Sequence, residues 1–125
     1  MDLAFGKKNE IKCKKQIETI TGGLISTTDP FDTFDYYNDD WLVELKTRRN
    51  NYSRYPTTMI GLNKTFSETK KQKLFCFRFL DGLYYHIYEP NTKYNISKGG
   101  RCDRGCAEIK DYLFIPINKL IFICN

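Results

Sequence analysis

The chain has 125 residues, fits one domain spanning 1–125, and is long enough to bury roughly two-thirds of the surface its unfolded form exposes. With 41% hydrophobic, 15% aromatic and 28% charged residues, its composition excludes a disordered chain. Its longest apolar run is the five residues Leu120 to Cys124, and Met1-Asp2-Leu3-Ala4-Phe5 lacks the basic start and apolar stretch of an export signal, which predicts an intracellular protein without membrane contact.

In chain order, Lys7 to Thr21 reads as a helix: Cys13, Ile17 and Ile20 recur at spacings of four and three, and Gly22-Gly23 supplies a stop. Glu10 falls on the same stripe, so an acid points inward near the start of that helix. Leu24 to Thr28 reads as a short strand, followed by a turn at Thr28-Asp29-Pro30. Phe34 to Tyr37 and Trp41 to Thr47 form a predicted hairpin around Asn38-Asp39-Asp40. Side-chain alternation sets Trp41, Val43, Leu45 and Thr47 on one face of the second strand and Leu42, Glu44 and Lys46 on the other. After a basic loop from Arg48 to Pro56, the segment Thr57 to Lys73 is expected to be helical in its later part, with Lys64 near the helix start. Leu74 to Leu80 and Leu83 to Glu89 flank Asp81-Gly82, a strong hairpin signal. Pro90 to Asp111 reads as loop, and Tyr112 to Ile115 and Leu120 to Cys124 as the last strands.

The net charge of +5 is unevenly spread. Between Gln16 and Leu45 there is no lysine or arginine, only Glu18, Asp29, Asp32, Asp35, Asp39, Asp40 and Glu44, so this segment carries −7 and the remainder +12. A basic body suits a polyanion, and an acidic island within it suits a cation. The plainer alternative is a solvated surface with aspartates as turn formers. Five cysteines at irregular spacing, Cys13, Cys76, Cys102, Cys106 and Cys124, read as reduced thiols; Cys102 and Cys106 lack a second ligand pair for zinc, His86 being the one histidine.

Phosphodiester hydrolysis requires a hard divalent ion held by oxygen ligands, which activates water and offsets developing charge. Asp35 and Glu44 lie across the predicted hairpin, where neighbouring strands bring their carboxylates to one ion. Lys46, beside Glu44, can orient water or stabilise the transition state, and Glu10 can complete the set through a water. Asp32 is a rival for the metal aspartate. Against these roles stand the bland ones: a same-face Glu44–Lys46 ion pair, a turn aspartate, and a solvated helix glutamate.

At these residues the sequence resembles the PD-(D/E)XK nuclease superfamily, whose core is an acid on a first helix, an aspartate on one strand and Glu-X-Lys on the next. The match is Glu10, Asp35 and Glu44-Leu45-Lys46, with Phe34 where the superfamily has proline; Lys64 falls where a polar or basic residue stands on the following helix. The run Val43-Glu44-Leu45-Lys46-Thr47-Arg48, with Tyr55 to Ile60 and Lys64, also resembles small nucleases of this type in large DNA viruses and phages. The resemblance covers residues from about 7 to 75. It implies an α/β, restriction-endonuclease-like core: a central mixed β-sheet flanked by helices, with a C-terminal aromatic-rich hairpin. It also implies a DNA nuclease dependent on Mg²⁺ or Mn²⁺, with Asp35 and Glu44 as metal ligands, Lys46 and Glu10 as further catalytic residues, and Arg48, Arg49, Arg54 and Lys64 on nucleic acid. The alternative is an inactive nuclease-like domain that binds nucleic acid or serves as a subunit of a viral or phage assembly. A homodimer or larger assembly fits either reading, as does a host cytoplasm, nucleus or virion. DNA against RNA, and endonuclease against exonuclease, stay open.

Overall fold

The computed structural model describes residues 3–28, 34–65, 69–99 and 110–125, with residues 3–9 described as backbone only. The turn at Thr28-Asp29-Pro30 in its later part, Asp32, and the Cys102/Cys106 pair lie outside the described residues.

Helix α1 runs from Leu3 to Thr21, starting earlier than the apolar stripe alone indicates. Cys13 and Ile17 are buried against Leu24, Tyr36 and Val43, so the i, i+4 spacing sets the buried face. Gly22, at φ 79°, ends the helix in the left-handed region. The Asn38 side chain donates to the carbonyls of Thr21 (2.9 Å) and Gly23 (3.1 Å), supplying donors at the helix end.

Two short strands follow, β1 (Ile25–Ser26) and β2 (Tyr36–Tyr37), and then β3 (Trp41–Thr47). Asn38 Oδ1 accepts the backbone N–H groups of Asp40 and Trp41 at 2.9 and 2.8 Å, which closes the β2–β3 hairpin where Asn38-Asp39-Asp40 predicts it. Next come β4 (Thr57–Gly61), a 3₁₀ turn (Leu62–Thr65), β5 (Gln72–Phe79), β6 (Gly82–Ile87), β7 (Asn95–Gly99), β8 (Lys110–Pro116) and β9 (Ile121–Cys124). A six-stranded sheet has the order β1-β2-β3-β5-β6-β9, and a three-stranded one the order β4-β8-β7. The large sheet is mixed: β3 and β5 are parallel, the other pairs antiparallel.

Strand β5 is central and buried on both faces, as parallel-paired strands usually are. Leu74 and Cys76 join the cluster under α1, whereas Phe75, Phe77 and Phe79 pack with Ile60, Leu113 and Ile115 of the small sheet. The helix therefore covers one face of the large sheet and the small sheet covers the other. Burying each such aromatic side chain contributes about 1.5–3 kcal/mol.

Three expectations are corrected. Among the described residues, the connection from β3 to β5 carries a strand and two 3₁₀ turns (Tyr52–Arg54 and Leu62–Thr65) in place of a helix, and α1 is the one α-helix, so a sheet flanked by several helices is not what they form. Thr57 to Gly61 alternates in burial, with Thr58 and Ile60 inward, a period of two that suits a strand; Asn63 and Thr65 are weak helix formers. Asn95 to Gly99, expected to be loop, is β7, paired with β8. The β5–β6 hairpin turns on Leu80-Asp81, since Phe79 pairs Gly82 within the ladder.

Candidate active site

Alternation along β3 is as the sequence predicts: Val43 is buried under α1 with Trp41 and Leu45 packed beside it, while Leu42 packs on the opposite cluster. Glu44 and Lys46 share that second face with Phe75 and Phe77, their partners on β5. Glu44 is only 4% exposed, so its carboxylate has left water for a place beside Phe75 on β5. Its Oε1 lies 3.1 Å from Lys46 Nζ and its Oε2 3.2 Å from Lys64 Nζ, the Oε2 contact being an ion pair without an aligned hydrogen bond. Lys64 arrives from the 3₁₀ turn after β4, its side chain 15% exposed against 38% for Lys46. Burial, and after it the negative charge of Asp35, raises the Glu44 carboxyl above the ordinary carboxylate range; Lys46 and Lys64 pull the other way.

Asp35 stands one residue before β2. The register Tyr36 to Val43 and Tyr37 to Leu42, taken one step further, sets it opposite Glu44. Its backbone N–H donates to the Val43 carbonyl (2.9 Å), and its Oδ2 accepts the Leu45 N–H (2.8 Å). The carboxylate thus takes a donor on the edge of β3 where β2 has already ended.

Glu10 reaches the same edge from α1. With Asp35 it lines a polar pocket of about 220 Å³, together with Ser26, Thr27, Tyr36 and Thr47. Burial, then Glu10 and then Asp35, pushes the Tyr36 hydroxyl up to about 12, so it stays a phenol and a donor. Glu10 and Leu45 therefore lie on the helix side of the sheet, Glu44 and Lys46 on the other, and Asp35 at the edge between them. Glu10 itself is exposed, rather than inward as its place on the stripe suggested. Among the described residues, no three His, Cys, Asp or Glu side chains converge as one cluster that could hold an ion.

The arginines part ways. Arg48, next on the Glu44–Lys46 face, turns into the protein: its Nη2 donates to the Met59 carbonyl and its guanidinium lies 5.7 Å from the centre of the Phe77 ring. Burial lowers its pKa. It thereby links the end of β3 to β4 across the two sheets. Arg49 and Arg54 are exposed, with Arg54 5.5 Å over the ring of Tyr55.

Sequence reasoning missed Lys64 as an ion-pair partner of Glu44, because the crossover that delivers it was read as a helix. It also missed the pocket hydroxyls, of which Thr47 carried a signal by sharing a face with Leu45. Tyr36 could have been found in the same way, opposite Val43.

Among the described residues, no helix is long and apolar enough to cross a membrane. The model of the family described as "Phage putative PDDEXK endonuclease" matches residues 7–121. No curated protein and no solved structure matches the chain.

Proposed function

This chain belongs to the phage PDDEXK endonuclease family, and on that premise we propose that it is a Mg²⁺-dependent nuclease that hydrolyses DNA phosphodiester bonds at Asp35, Glu44 and Lys46. The observation that carries the reading is Glu44: a carboxylate nearly out of water, crowded by a second one and flanked by two ammonium groups. Burying such a charge costs several kcal/mol, on the order of the stability of a small domain, which a metal-binding role for Glu44 would account for. A structural ion pair needs one lysine and no nearby Asp35.

The donor set fits the ion. Mg²⁺ keeps most of its waters and is held by one or two carboxylates, so Asp35 and Glu44 suffice, and Glu44 Oε2 lacks an aligned hydrogen bond. When bound, the ion supplies a water of lowered pKa and offsets charge on the phosphate. The protein's own groups do the rest. Asp35 is oriented by the Leu45 N–H, which takes Oδ2, so Oδ1 is the oxygen that would meet the ion. Lys46 stands at the more open side of Glu44, where its ammonium orients the attacking water or meets the charge on the pentacovalent phosphate. Lys64, more deeply set, holds Glu44 from behind. Glu10, which shares the polar pocket with Asp35 on the helix side of the sheet, would act on the ion only from a distance, through water. Exposed Arg49 and Arg54 grip the flanking phosphates.

A second reading has one observation in its favour: both Glu44 oxygens already face lysines. On that reading the domain binds nucleic acid, or joins a viral or phage assembly, without cutting. Release of fragments from plasmid and single-stranded DNA in Mg²⁺ or Mn²⁺, with chelator and Glu44→Ala controls, separates the two. Cutting lost in both controls supports the nuclease; salt-sensitive binding without cutting by folded protein supports the second reading.

A further inference from the structure

The Glu44–Lys46–Arg48 row leads away from the site to a second pocket, of about 340 Å³, which the proposed chemistry does not use. Its walls are mostly apolar, including Tyr55, Pro56, Met59 and Phe114, and Arg48 and Asn50 bring polar groups to it. Three features match it to a flat heteroaromatic ring. Tyr55 is 54% exposed at the surface with Arg54 over its ring, a stacking platform rather than a core residue. Neighbouring Tyr52, in contrast, is locked: it is stacked on Tyr84 at 4.1 Å, and its hydroxyl donates to the Ile117 carbonyl. Arg48 commits Nη2 to the Met59 carbonyl, and a guanidinium has five N–H donors, so others can face a base edge, whereas the Asn50 amide nitrogen donates to the Asn51 carbonyl at 2.9 Å.

Continuity fixes which ring. Two residues along a strand advance about 6.6 Å, so Arg48 begins the pocket one short step beyond Lys46, on the same face. We propose that this pocket takes one unpaired nucleobase of the substrate strand, beside the phosphate served by Glu44 and Lys46. The inference rests on the nuclease reading and names its substrate class: DNA with an unpaired nucleotide at the cut, as in a single strand. A base inside a duplex is stacked and paired and cannot enter without being extruded.

The test uses the full chain and a short single-stranded oligonucleotide carrying the fluorescent base aminopurine, in chelator so that nothing is cut. Stacking in the pocket is expected to quench the probe, and its fully paired duplex is expected to bind more weakly at equal salt. Tyr55→Ala, at an exposed position, is expected to weaken single-strand binding about 5- to 150-fold and to abolish the quench. Thr57→Trp, which fills the pocket from the outer edge of the small sheet, is expected to do the same while Tyr55 is intact. Unchanged binding and quenching in both folded variants overturns the proposal, as does a wild-type preference for the duplex. Cleavage in Mg²⁺ is scored separately. Cutting without a response of the probe sinks the pocket and spares the nuclease. A pocket-dependent response without cutting sinks the nuclease and leaves a single-strand binder; neither result sinks both.

Discussion

Glu44 and Asp35 carry the same charge into the same small region, yet they are held differently, and variants can exploit that. Asp35→Asn keeps an oxygen for the Leu45 N–H, 2.8 Å away, so the edge of β3 is preserved while a negative ligand is lost. Its melting temperature is therefore expected to change little, with cleavage falling about 100-fold or more, a pairing that unfolding cannot mimic. Lys46→Ala is expected to lower kcat about 10²- to 10³-fold at nearly unchanged DNA affinity, measured by single-turnover cleavage and by binding in chelator. His86 offers a check away from the site. Its Nε2 lies 2.8 Å from Tyr94 Oη, which accepts the Glu89 N–H at 3.0 Å. Burial chiefly lowers the His86 pKa below 6.5, despite a hydrogen bond to the Lys119 backbone. The unfolded chain therefore takes up a proton before the folded one does, and stability present above pH 6.5 is lost as pH falls from there towards the folded pKa. Urea midpoints across that range should show the slope in the wild type and a flatter one in His86→Phe. At this scale the sequence was readable wherever period two governs: Glu44 and Lys46 on one face follow from alternation alone. Lys64 was not, because an ion pair twenty positions apart depends on a path the chain takes through the other sheet.

Among the elements, those whose signals are local were legible: α1 from its apolar stripe and Gly22, the β2–β3 hairpin from Asn38, and the β5–β6 hairpin from its aromatic runs. Strand β4 was not, since Thr57-Thr58-Met59-Ile60 alternates too briefly to outweigh the polar residues after it; β7 is too polar to read as a strand, being exposed along its described side chains. The hairpin turn was displaced by one residue, with an energetic consequence. Gly82 does not serve a left-handed turn. A Cβ there meets the rings of Phe122 and Tyr84 at 3.0 Å and the Cys124 carbonyl at 3.3 Å, so the glycine lets β9 close onto β6. Gly82→Ala is expected to destabilise by about 1–3 kcal/mol, read from urea melts, and to raise hydrogen exchange in β9 before the central strands. Gly22→Ala, in open space but at φ 79°, is expected to cost about 1 kcal/mol from backbone strain alone.

For the whole molecule, the acidic segment and the basic remainder proved less separate than the sequence implied, since Lys64 from the basic part is drawn onto Glu44 of the acidic one. The parallel pairing of β3 with β5 makes the chain leave the large sheet, add β4 to the small one, and return before its central strands can meet. Neither sheet can be completed while the other is absent, because the small sheet also needs β7 and β8, which follow β6. Closing such long loops before any contact rewards them is slow, so refolding is expected in the millisecond-to-second range, and stopped-flow fluorescence of Trp41 on β3 would measure it. A nascent chain that has emerged only as far as β3 holds Glu44 and Lys46 but lacks Lys64, the whole small sheet and the parallel partner of β3. Ribosome-bound or truncated fragments are therefore expected to be inert towards nucleic acid, giving the producing cell a delay between synthesis and the first competent molecule.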